Sequence, residues 1–164
     1  MRPLTLYATA VALVALSAAP ATAAKPHVSR LEVHGTGGPG MGYYGFRVGI
    51  SASKAAGRPA TGSFRGTVAP GTGTTRTPDV VTLAGPVTCL QVAGRTASLM
   101  YPLKDVTTAA GTQHQEGMSI LITVTQGSPS KMGFMGPLPT SAFGGACSPG
   151  QTPFVLEGQV SVRP

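Results

Sequence analysis

The chain has no tryptophan and no asparagine, and only 5 acidic residues stand against 12 lysines and arginines. Of its 164 residues, 5 % are aromatic and 10 % charged. Each scarcity excludes something. Five acids, Glu32, Asp79, Asp105, Glu116 and Glu157, are thin material for a glycosidase carboxylate pair, and no D-x-D-x-D run offers calcium a cluster of oxygens. Few aromatics argue against a sugar-binding cleft and against base stacking on nucleic acid. No segment holds a 3.6-residue apolar period, so no amphipathic helix is expected. The low charge also separates this chain from disordered ones, which combine low hydrophobicity with high charge.

The longest apolar run, 4–16, is about 13 residues, short of the roughly 20 that span a bilayer. It follows Arg2 and precedes the small-residue site Ala21-Thr22-Ala23. This is the layout of a secretory signal peptide over 1–23, with one secreted domain over 24–164 and no transmembrane segment after leader removal. The two cysteines, Cys89 and Cys147, both fall in the exported part. In an oxidising compartment an even count reads as a disulfide.

The remaining chain is rich in glycine (23) and proline (15), and its apolar residues alternate. Tyr44, Phe46, Val48 and Ile50 interleave with Gly45, Arg47, Gly49 and Ser51. The same period of two runs through 60–68, 118–125 and 154–162. Leu121 breaks it by making the outer side of its strand partly apolar. Weaker strands are expected over 28–34, 80–83, 87–92 and 96–101. Ala93-Gly94 joins two of these as a tight hairpin, with glycine supplying positive φ. Two long loops are expected, 35–42 and 127–150. The pattern predicts an all-β fold: a single small antiparallel β-sandwich, or partly open barrel, of about seven or eight short strands with one disulfide.

The segment 85–97 reads G-x-V-x-C-L-x-V-x-G-x-x-A. It is followed by Ile120-Leu121-Ile122-Thr123-Val124, a loop with Gly127 and Pro129, then Cys147 and a terminal Gly158-Gln159-Val160-Ser161-Val162. In this order the chain resembles small secreted all-β proteins of actinobacteria, over roughly 60–162. The resemblance implies a fold and no activity. Gln126 stands near where those proteins carry an aspartate.

The candidate chemistries are sparse. Gly35-Thr36-Gly37-Gly38-Pro39-Gly40 matches a dinucleotide fingerprint by letter, but a strand follows where a helix is required. A metal site from His34, His114 and Glu116 has no supporting spacing, and His27 lies at an odd offset from His34. No G-x-S-x-G marks a nucleophile. No catalytic, metal or cofactor residues are therefore assigned. Two surfaces remain. Arg47 and Arg65 fall on the polar sides of two hairpin-connected strands and, with Arg58, form a candidate basic face in a chain of net charge +7. Met132, Phe134, Met135 and Leu138 form an apolar stretch in the second long loop, a candidate partner-binding loop of the adaptable kind methionine supports. The expected function is a non-catalytic β-domain, secreted or retained at the envelope, binding an unidentified protein or an anionic envelope polymer. The alternatives are a secreted enzyme inhibitor or accessory protein acting through 127–150, and a small secreted hydrolase.

Overall fold

The structure, a computed structural model, describes residues 27–38, 43–72, 75–76 and 81–164. The expected leader, Asp79 and the 39–42 part of the glycine-rich loop lie outside these residues. Twelve strands occur among them: β1 (Val28–Gly37), β2 (Tyr43–Ala55), β3 (Thr61–Thr72), β4 (Thr75–Arg76), β5 (Val81–Pro86), β6 (Cys89–Ala93), β7 (Thr96–Pro102), β8 (Asp105–Thr108), β9 (Gly111–His114), β10 (Met118–Thr125), β11 (Ser130–Pro139) and β12 (Phe154–Arg163). A single 3-10 turn covers Thr140–Phe143.

Eleven strands hydrogen-bond in one antiparallel path, β6-β7-β10-β11-β12-β1-β2-β3-β5-β8-β9, with β4 paired to β3 alone. The sheet curls into a half-barrel. The alternating segments are the long strands, because a half-buried sheet turns every second side chain inward. The curl brings β7 over β3 and β5. The Tyr101 ring lies 4.7 Å from that of Phe64, and its hydroxyl donates to the Ala84 carbonyl at 3.2 Å. One half of the molecule is tightly filled, with Leu31, Val33, Leu90, Leu99 and Val124 essentially without solvent access.

The all-β class, the antiparallel sheet and the disulfide are as the sequence predicts, but the strand count is higher. The additional strands are β4, β8, β9 and β11. All four residues of β9 are exposed, so no apolar alternation marks it, and His114 belongs to this strand rather than to a loop. The β11 segment has the glycines and prolines of a loop, yet it pairs with β10 from Thr125↔Lys131 to Met118↔Pro139. Its other edge meets β12 only over Ser130–Met132. Pro137 and Pro139 therefore sit where one side of the strand asks for no N–H, the position at which a sheet tolerates proline. The expected loop 127–150 is thus a short turn, a strand and a strap.

That strap, residues 140–153, crosses the outer face of β7, β10 and β11. Cys147 is bonded to Cys89 with Cα atoms 6.1 Å apart. Together with Phe143 it covers Met100 and Leu121 in a second small core. The Ser98 hydroxyl donates to the Cys147 carbonyl, and the Gly150 N–H donates to Thr123 Oγ1 at 2.8 Å. Leu121, apolar on the wrong side of its strand, is apolar because it is covered.

Candidate functional site

Beyond Met132, β11 leaves β12, and an apolar cavity of about 220 Å³ lies alongside this unpaired stretch. Its walls come from inward positions of β2 and β3 (Val48, Phe64, Val68), of β5 and β8 (Leu83, Val106) and of β10 and β11 (Ile122, Phe134). Alternation places these side chains inward. Two glycines help make the hollow. Gly66 occupies the inward position between Phe64 and Val68, and a Cβ there would lie 2.6 Å from the Phe64 ring. Gly136, at φ 116°, lines the rim with Pro137. Among the described residues, Arg47 and Gln115 are the only polar ones of the lining. Arg47 is exposed and stands at the rim; Gln115 is half-buried. The Gln115 backbone N–H donates to the Lys104 carbonyl at 2.9 Å, while its side-chain amide has no partner among the described residues.

The four residues of the candidate apolar loop are divided by the pleat of β11 together with a register shift against β10 between Ser119 and Leu121. Met132 is buried and Phe134 half-buried. The Phe134 ring stacks on Phe154 at 5.2 Å and meets Phe46 edge-on at 6.5 Å. Both line the cavity. Met135 and Leu138 point outward and are 46 % and 38 % exposed.

The basic residues are divided as well. Gly49 pairs with Arg65 and Arg47 with Thr67, so the two arginines are diagonal neighbours on the outer face of β2 and β3. His34 faces Gly49 from β1, and the bare glycine leaves a shallow hollow bordered by His34, Arg47, Arg65 and Glu157. Neither arginine has an ion-pair partner among the described residues. Arg58 stands in the turn beyond Thr61, roughly 13 Å further along the strand direction than Arg65.

The histidines do not converge. His114 Nδ1 lies 2.7 Å from Asp105 Oδ1, and its Nε2 is 3.8 Å from Glu116. His34 is five strands away along the sheet path. No group of three metal-ligating side chains occurs among the described residues. Gln126 accepts a hydrogen bond from the Val162 N–H at 3.0 Å, tying the end of β10 to β12. One group has a shifted ionisation: burial pushes the Tyr101 phenol up to about 12, helped by the nearby charge of Asp105.

Sequence reasoning missed the cavity because most of its wall reads as ordinary core, and because Met132 and Phe134 read as a loop and Arg47 as part of a basic face. The available signal was Gly66, an inward position with no side chain. Compared with known proteins, the chain matches no family model, no curated protein and no solved structure.

Proposed function

We propose that this chain is an exported, non-catalytic binding domain that holds a small apolar molecule in the mouth of its half-barrel. The observation that carries this reading is the cavity. Apolar hollows with few convergent polar groups are the ordinary form of a small-molecule site. The described side chains that line it include no carboxylate and no nucleophile, which supports binding over turnover there. The leader, the disulfide and the resemblance to small secreted β-proteins support action outside the cell.

The test uses 2-naphthol, a compact fluorophore read against a protein without tryptophan. The oxidised chain is expected to bind it at a single saturable site. Val106→Phe, which projects a ring into the hollow, is expected to abolish that binding while the fold survives. Equal binding by both proteins, or none by either, would refute the reading.

A second reading rests on the outer face. Arg47 and Arg65, adjacent and without ion-pair partners among the described residues, support attraction of an anionic envelope polymer. In that case the cavity and the basic face serve one molecule in two ways: one holds a ligand, the other holds the protein near a polyanionic surface.

A further inference from the structure

The size and lining of the cavity narrow its ligand, and this inference rests on the binding reading above. We infer that the ligand is a compact ring or short chain carrying one oxygen group at one end, and not a long acyl chain. Three observations lead there. The first is volume. An apolar cavity of roughly 150 Å³ holds benzene; at the same packing the 220 Å³ here seats about nine non-hydrogen atoms. The second is closure. The half of the interior beyond the cavity is filled by Leu31, Val33 and Leu99, all with no solvent access, so a longer chain has no tunnel to continue into.

The third is the position of the polar groups. The described walls are aliphatic and aromatic, and among the described residues Gln115 and Arg47 are the only polar ones that border them. Gln115 is half-buried, and its amide, without a partner among the described residues, is available to hydrogen-bond a ligand. A wholly apolar ligand would cover part of this polar border and offer it no hydrogen bond, which is unfavourable. An oxygen group at the same end bonds the amide in place of water. The ligand therefore enters ring or chain first and keeps its oxygen end at the lip.

The experiment titrates the oxidised chain calorimetrically with 4-propylphenol, propylbenzene, octanoate and hexadecanoate, with 2-naphthol as reference. The inference expects 4-propylphenol and octanoate to bind, hexadecanoate to bind no better than octanoate, and propylbenzene to bind more weakly than its phenol. Gln115→Leu is expected to lower affinity for the phenol between about three- and tenfold, the loss of one hydrogen bond, and to leave propylbenzene unchanged. Affinity that climbs steadily to hexadecanoate overturns the size argument while leaving the cavity a binding site. An equal effect of Gln115→Leu on phenol and hydrocarbon overturns the polar lip. Failure of every compound, 2-naphthol included, overturns the binding reading itself.

Discussion

A Cβ added to Gly37 would collide with the Phe46 ring, one added to Gly85 with the Tyr101 ring, and one added to Gly66 with the Phe64 ring. Each glycine lies under an aromatic side chain that folds flat across it. This is how a chain with so few aromatics covers its sheet: one ring does the work of two side chains, and glycine makes room for it. Gly66→Ala is accordingly expected to destabilise the fold by about 1–3 kcal/mol, because the methyl must displace Phe64. Chemical denaturation checks it, and an unchanged midpoint would show that the ring is free to move.

Tyr101 gives a pH signature at the same scale. Its phenol is held at about 12 in the folded chain, against about 10 for a free tyrosine. The folded state thus keeps the proton longer than the unfolded state. The contribution is whole below about pH 10 and is lost as pH rises from there toward the folded value. Denaturation midpoints measured between about pH 9 and 11 are expected to fall with pH in the parent, and to fall less in Tyr101→Phe. Parallel curves would contradict this assignment.

Legibility in the sequence follows burial. Phe46 to Ile50 and Met118 to Val124 read as strands because every second side chain enters the main core, although the strap also covers the other side of β10. β8 and β9 do not, because hydrophobic alternation is the trace of a buried face and β9 has none. β11 was masked by its prolines, which are harmless only because its far edge lies open, a fact about neighbours that no local window contains. The disulfide was legible from a count of two. The cavity was not, since a hollow is a property of shape and its walls use the same residue types as a filled core.

The strap 140–153 shows the same logic at the element level. It has no regular structure beyond one 3-10 turn and buries little surface of its own, so its position depends on Cys89–Cys147 and on the Phe143 and Cys147 contacts with Met100 and Leu121. Closing a loop of 58 residues restricts the unfolded chain by about 4 kcal/mol in the chain-entropy picture. Replacing both cysteines by serine is expected to lower the melting temperature by about 10 °C or more and to uncover Leu121. Faster hydrogen exchange along the outer side of β10, with β1 and β2 unaffected before global unfolding, would report release of the strap. An unaltered melting temperature would mean that the apolar contacts alone hold it.

Across the whole molecule, one closed half and one open half come from a single curled sheet. The closed half is packed and stapled; the open half is the mouth left where β11 parts from β12. The outer face over β2 and β3 carries Arg47 and Arg65, without ion-pair partners among the described residues, on a chain of net charge +7. If that face meets a polyanion, binding to polyphosphate falls steeply with salt, and the double substitution Arg47→Gln/Arg65→Gln reduces the logarithmic salt slope by about two. An unchanged slope would place the contact elsewhere. Val106→Phe leaves this slope as it is, which separates the two surfaces.

The claim on which the account stands is that the mouth of the half-barrel is a site. Methyl NMR on the oxidised chain during a 2-naphthol titration tests it most directly. Saturable shifts at Val106, Ile120 and Ile122, with Leu31 and Val33 unmoved, are the predicted result. Shifts at Met135 and Leu138 on the outer surface, or none anywhere, would contradict it.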